Sequence, residues 1–373
     1  MKNSNLYFDI AATTPIDIKV AELIHKINIE SYGNASSIHS IGQKSHNIIE
    51  RARISIAKIL HCKSSEIYFT SGGSESNNLV LKGILQPGDH FITSSYEHPS
   101  ILGLINELKQ NNIETSLVKP NHFGLIESND IIKNIKSNTK LISIMYVNNE
   151  LGTINNINDI SKIATDNNVL FHSDAVQYVG KEKINLSNST IDFLSIGAHK
   201  FYGPKGIGAL FCKSGNNIKP LIDGGGQESG IRAGTENVSY IAGMSLALEI
   251  ADSNYVTNKT HILNLEKYFI ESLDDLKINY RINGKQRMPG IINITFFDVK
   301  GHNLLMSLDM KGIAISYGSA CSSGSANAPL ALLESGMEQK EASCSVRISI
   351  GKMITKENID KLIFSLNKII NKL

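Results

Sequence analysis

Residues 195–210 read SIGAHKFYGPKGIGAL: an apolar strand, a lysine at its carboxyl end, a Gly/Pro turn, and a second apolar run that folds back as a short hairpin. The stretch before it, VLFHSDAVQ at 169–177, is a second strand ending on polar residues, Asp174 and Gln177. Outward from these two, helical stretches and short apolar strands alternate from about residue 40 to residue 250. Ile48, Ile49, Ala52, Ile56, Ile59 and Leu60 recur at helical spacing and predict a helix, and Ile67 and Phe69 then begin a strand. Further strands are expected at 90–93, 141–147, 169–172 and 193–196. The alternation predicts an α/β fold, a parallel or mixed sheet with helices on both faces. In such open sheets ligands bind at the carboxyl ends of strands, and the unusual residues of this chain collect there. A boundary is expected near residue 250, after the Ala-rich helix at 241–250, with a smaller unit of strands and helices beyond it.

The 373 residues, 41% of them apolar, are enough for a large core and two domains. With 37 basic against 35 acidic residues and no long Lys/Arg block, the chain lacks a surface suited to neutralising nucleic-acid phosphates. The opening residues MKNSNLYFDIAATTP are broken by Asn, Ser and Asp before an apolar signal region can form, and no apolar run reaches bilayer-spanning length. These features predict a cytoplasmic protein. Cys62, Cys212, Cys321 and Cys344 stand far apart without a CxxC pair, so neither a zinc site nor a disulfide framework is signalled.

Lys200 ends a strand, where shielding from water lowers the pKa of a lysine enough for its amine to act as a nucleophile and form a Schiff base. A carboxylate at the next strand end, Asp174, can pair with a protonated pyridine nitrogen and make such a ring an electron sink. FTSGGSESNN, residues 69–78, runs from strand through Gly72 and Gly73 into a helix; Ser74 is expected to cap that helix, whose free N–H groups favour a phosphate. Each feature alone has a plainer reading: a solvated surface lysine, a strand-end turn carboxylate, an ordinary helix start.

Together, YFDIAATTP (7–15), YGNASSIHSIG (32–42), FTSGGSESNN (69–78), YEHPS (96–100), VNNELG (147–152), HSDAVQ (172–177), HKFYGPKGIGAL (199–210), GGGQESGIRAGTEN (224–237) and GSACSSGS (318–325) resemble, in order, the NifS/IscS-like cysteine desulfurases. These are class V aminotransferases among the fold type I pyridoxal 5'-phosphate (PLP) enzymes. The resemblance implies a large PLP-binding domain at 15–250 with a mostly parallel seven-stranded sheet. It also implies a smaller α/β domain at 1–14 and 251–373 that carries a mobile Cys321 loop. Lys200 then carries the cofactor as a Schiff base and removes the substrate Cα proton, Asp174 faces the pyridine nitrogen, and Gln177 and Asn149 hydrogen-bond the phenolic oxygen. His98 stacks on the ring and shuttles protons. Gly73, Ser74, His199, the position of Gly197 and, from the partner subunit of a homodimer, Thr235 form the phosphate cup. Asn149 and Arg347 take the substrate carboxylate, a task suited to a planar bidentate guanidinium.

Cys321 is the implied sulfur acceptor: L-cysteine becomes alanine, and the persulfide passes to an iron-sulfur scaffold or a tRNA-thiolation protein. No resident metal is required, although Cys321 is open to transient ligation of an iron-sulfur cluster. The small polar neighbours of Cys321 suit an exposed nucleophile; the other three cysteines read as small buried hydrophobes. Two departures stand out: Gly197 occupies a position where the family has a serine hydroxyl, and SANAPLALLESGME follows the cysteine loop where Pro-Ser is usual. The rival readings are a selenocysteine lyase or a small-substrate aminotransferase, and a scaffold dimer without catalysis. The GSACSSGS loop argues against simple transamination, which needs no second nucleophile.

Overall fold

The computed structural model describes residues 6–297, 299–318 and 328–370. Its centre is a seven-stranded sheet built from β2 (Ile67–Thr70), β3 (His90–Ser94), β4 (Glu114–Val118), β5 (Thr139–Ser143), β6 (Leu170–Asp174), β7 (Phe193–Gly197) and β8 (Gly208–Cys212), in the spatial order β2-β8-β7-β6-β5-β3-β4. Strand β8 runs antiparallel to both its neighbours, and the other pairings are parallel. β3, β6, β7 and β8 are buried almost throughout, as expected of strands covered on both faces by crossover helices. The parallel strands therefore end on one edge, and the loops leaving β2, β3, β5, β6 and β7 meet there.

The helices α1 (Ile18–Glu30) and α2 (Ser40–Leu60) pack against the long helix Val238–Ser253. α2 buries Ile49, Ala52, Ile56 and Leu60, the stripe seen in the sequence, but starts a full eight residues before Ile48, where His39 Nδ1 accepts from Gly42 N–H at 3.2 Å. The expected strand at 141–147 is regular only to Ser143: beyond it the Ile144 and Tyr146 N–H groups still donate to the His172 and Asp174 carbonyls of β6, while the Met145 N–H donates to the Glu97 carboxyl. The third helix, α3 (Gly73–Ile84), corrects a further expectation: Ser74 does not cap it. Gly72 stands at the cap with φ of 153°, a backbone available to glycine alone, and no side chain closes the turn. A Cβ on Gly208 would lie 2.6 Å from Gly72 Cα, so the hairpin strand β8 approaches the start of α3 this closely only as glycine.

A second core gathers Phe8, Phe269, Ile292, Ile294, Phe296, Leu304, Val346, Ile348 and Leu362. It includes an antiparallel sheet in which β10 (Ile291–Phe296) lies between β9 (Tyr280–Ile282) and β12 (Ser345–Ser349). Beside it the N-terminal β1 (Leu6–Tyr7) pairs in parallel with β11 (Ile313–Ala314). From β1 and Phe8 in the second core the chain crosses to the large sheet. Among the described residues, no helix is long and apolar enough to cross a membrane.

His172 in β6 is fully buried, its ring between the hydroxyls of Ser143 at 2.7 Å and Ser195 at 2.9 Å, and burial pushes its pKa down to about 4. The unfolded chain takes up a proton below about pH 6.5 that the folded chain refuses, so stability falls as pH drops from 6.5 toward 4, by up to about 3 kcal/mol. Substituting Gln for His172 should flatten that slope. Urea unfolding at pH 7 and 4.5 should show the wild type losing about 2 kcal/mol more than H172Q.

Candidate active site

β6 ends on the buried Asp174, whose two carboxylate oxygens are both engaged: Oδ1 accepts from the Val176 N–H at 3.0 Å and Oδ2 from Asn77 Nδ2 at 2.7 Å. The same Asn77 amide donates to Ser100 Oγ at 2.8 Å, and Ser100 Oγ lies 2.8 Å from His98 Nδ1. His98 Nδ1 also accepts the Ser100 N–H, capping the short helix Pro99–Leu102. That nitrogen is therefore the acceptor, and a neutral His98 carries its proton on Nε2. Burial, aided by the positive Lys200, lowers the His98 pKa, which keeps the ring neutral.

Lys200 follows β7 through a single helical turn, and its Nζ donates to the main-chain carbonyls of Ala11 and Ala12, 2.7 Å each. Gln177 Nε2 donates to the same Ala11 oxygen at 2.7 Å, while Gln177 Oε1 accepts from Lys181 Nζ at 2.6 Å. Burial and the cations Lys200 and Lys181 push His199 down to about 3, so it too is neutral. Its Nδ1 lies 3.1 Å from Thr13 Oγ1, and its carbonyl accepts from Thr14.

From the second core, β12 delivers Arg347, which is 1% exposed. Its guanidinium donates to the Asn149 carbonyl at 2.6 Å and to Asp9 Oδ1 at 2.7 Å, and its Nε, also buried, has no partner among the described residues. One cavity is lined by Gly73, Ser74, His98, Asn149, Asp174, Gln177, His199, Lys200 and Arg347. The structure thus brings together residues from both ends of the chain, from Ala11 to Arg347. Gly197 stands just behind this wall, against Val176 and His199. Thr235 is exposed and lies outside the cavity of its own chain. Its loop is anchored upstream by Glu228, which takes both ends of the Arg53 guanidinium at 2.8 Å. Cys321 lies outside the described residues.

Five contributors were not read from the sequence: Asp9, Asn77, Lys181 and the carbonyls of Ala11 and Ala12. Asp9 and Asn77 sit inside the YFDIAATTP and FTSGGSESNN stretches, where a carboxylate and an amide among small residues were the available signals. Lys181, four residues after Gln177, carried none.

Comparison with known proteins accounts for this arrangement. The family description "Aminotransferase class-V" matches residues 6–362. The chain belongs to the class-V aminotransferase family. A relative from Dictyoglomus turgidum named cysteine desulfurase IscS is 41% identical over 99% of this chain and 95% of its own length. A solved structure described as a NifS-like protein superposes with a TM-score of 0.92 at 33% identity, covering 99% of this chain and all of that one. Another, SspA in complex with cysteine, superposes at 0.83 with 34% identity, covering 94% and 100%.

Class-V aminotransferases are PLP enzymes, and the donor set of this cavity fits that cofactor. It offers an uncapped first helical turn at Gly73 and Ser74 for a phosphate, a buried carboxylate for a ring nitrogen, and a strand-end lysine for an aldehyde. Within this class-V site Asp9 holds the buried Arg347 guanidinium, and removing one partner of a buried pair leaves an uncompensated charge. Asp9→Ala should therefore lower stability by about 3 kcal/mol in urea unfolding, while Asp9→Asn, which keeps an acceptor, should lose markedly less.

Proposed function

We propose that this chain is a PLP-dependent cysteine desulfurase that converts L-cysteine to L-alanine and carries the sulfur away as a persulfide on Cys321. The observation that supports this most is the single cavity shared by Lys200, Asp174, His98 and Arg347, in a chain 41% identical to a curated cysteine desulfurase. SspA, a structural relative, is described in complex with cysteine.

Asp174 holds the ring nitrogen, Gln177 and Asn149 the phenolic oxygen, and Gly73, Ser74 and His199 the phosphate, with Gly197 behind them. Bound PLP supplies the electron sink that makes a substrate Cα proton removable. Lys200 tethers the cofactor and then accepts that proton. Arg347 orients the substrate through its carboxylate, its unpartnered Nε providing a donor that Asp9 and the Asn149 carbonyl leave free. His98, neutral with its proton on Nε2, stacks on the ring and moves a proton at that atom. The Cys321 thiolate attacks the substrate sulfur: an S–S bond forms, the C–S bond breaks with its electron pair left on carbon, and reprotonation gives alanine.

Residues 15–250 act as the cofactor domain, and 1–14 with 251–373 as the smaller domain carrying Cys321. The enzyme works as a cytoplasmic homodimer in which Thr235 completes the phosphate cup of the partner subunit. Its exposure away from its own cavity supports that reading, as does the exposure of Ile38 at 94% and Tyr32 at 75%. The persulfide passes to an acceptor protein that builds iron-sulfur clusters or thiolates tRNA.

The test is to load the protein with PLP, add L-cysteine, and measure alanine and persulfide sulfur. Lys200→Ala and Cys321→Ala should each cut alanine release by about three orders of magnitude or more, while Cys344→Ala leaves it within about twofold. Near-normal alanine from Cys321→Ala would remove Cys321 from the reaction.

A Cβ at position 197 would lie 3.2 Å from Val176 Cγ1 and 3.5 Å from His199, so a small side chain fits once Val176 yields slightly. Gly197→Ser therefore restores a hydroxyl near the phosphate. It should tighten PLP binding about fivefold, the worth of one net hydrogen bond, as read by fluorescence titration of the apo-protein.

A further inference from the structure

Lys181 has no role in the reaction described above, yet it lies directly behind the cavity. It lines a narrow slot together with Lys200, Tyr255, Lys259 and Lys352. Its hydrogen-bond partner is a neutral amide oxygen, Gln177 Oε1 at 2.6 Å, rather than a carboxylate. Lys259 and Lys352 are paired with Glu182 and Asp17, whereas Lys181 is held by the amide oxygen, and burial beside Lys200 makes its charged form costly. Burial first, then the charges of Lys200 and Arg347, push the Lys181 pKa down to about 7; both the ammonium and the amine still donate an N–H.

The buried Gln177 amide is clamped between two groups that allow one orientation. The Ala11 carbonyl can only accept, so it takes the amide nitrogen at 2.7 Å, and the Lys181 N–H takes the amide oxygen. One N–H of that nitrogen is used by Ala11, and Gln177 lines the cavity. An amide turned over would present oxygen lone pairs to the same space and meet a phenolate with repulsion.

We propose that Lys181 is a positioning residue: by holding Gln177 Oε1 it fixes the nitrogen end of the amide toward the cavity, where its second N–H donates to the phenolic oxygen of bound PLP. The assignment rests on the functional reading above and deepens it. Lys181 acts through Gln177, without touching the cofactor.

The test uses full-length wild type, K181M, K181R, Q177A and the double variant K181M/Q177A. Two quantities are read: PLP affinity by quenching of apo-protein fluorescence, and the pH midpoint of the visible absorption of the loaded protein. K181M should bind PLP about fivefold more weakly. Its midpoint should rise by about half a pH unit or more, because the oriented donor to the phenolic oxygen is lost. K181R, which can still donate to Oε1, should restore both, and the double variant should be no worse than Q177A alone. K181M at wild-type values, or losses that multiply in the double variant, would overturn the assignment. Should K181M not fold, K181A, which likewise removes the donor, carries the same expectations. A wild type that takes up no PLP overturns the functional reading itself, and this is seen before any variant is compared.

Discussion

The main-chain carbonyls of Ala11 and Ala12 hold the arrangement together. They receive the Lys200 amine, and the Ala11 oxygen also receives the Gln177 amide. The stretch from Asp9 to Thr14 leaves the second core at Phe8, pairs Asp9 with Arg347 and donates the Ala11 N–H to Ser349 Oγ. It then bonds the His199 carbonyl through Thr14. One strip of backbone thus ties β12 of the second core to the end of β7 in the large sheet. Carbonyl dipoles suit this place better than a carboxylate would. A carboxylate would lock Lys200 as an ammonium in an ion pair, whereas neutral dipoles hold the amine in position and leave it free to exchange its proton and its partner.

The charge inventory around the cavity is lopsided. Lys200, Lys181 and Arg347 are faced by Asp174 and by Asp9, and the two histidines that line the wall are held neutral. Such an excess of positive potential in a concave, poorly solvated site favours ligands that bring several negative charges. A phosphate and a substrate carboxylate are ligands of that kind. A neutral His199 is part of the same logic: with its pKa near 3 it serves the site as a hydrogen-bonding wall, without adding a charge that would deepen the repulsion among the lysines.

Much of this was legible in the sequence for a physical reason. Strands buried on both faces leave continuous apolar runs, and the functional residues sit where those runs stop, so Asp174, Gln177 and Lys200 could be placed at strand ends from pattern alone. What pattern cannot show is who partners whom. Asp9 and Arg347 are 338 residues apart and meet only because β1 and β12 share the second core. The expected extension of β5 to Val147 is only half realised: Ile144 and Tyr146 still bond β6, but on the other side the Met145 N–H goes to a side chain, the Glu97 carboxyl, a partner that pattern does not reveal. Ser74 looked like a cap because serine commonly is one, but the cap is Gly72, whose φ no serine could adopt at low cost.

Glu97 shows how far the site's electrostatics extend into the core. Its carboxyl is fully enclosed, with Oε1 bonded to Ser94 Oγ at 2.6 Å and to the Met145 N–H at 2.9 Å, and Oε2 without a partner among the described residues. Burial, reinforced by the negative Asp174, raises its pKa to about 8, so at neutral pH it is predominantly protonated. A charged Glu97 would place a second negative charge near Asp174 in the same unsolvated region. Keeping Glu97 neutral leaves Asp174 as the carboxylate at the end of β6, with Asn77 and the Val176 N–H as its hydrogen-bond donors. The strand end is thereby poised to stabilise a positive charge delivered from the cavity, which is what pairing with a protonated ring nitrogen requires.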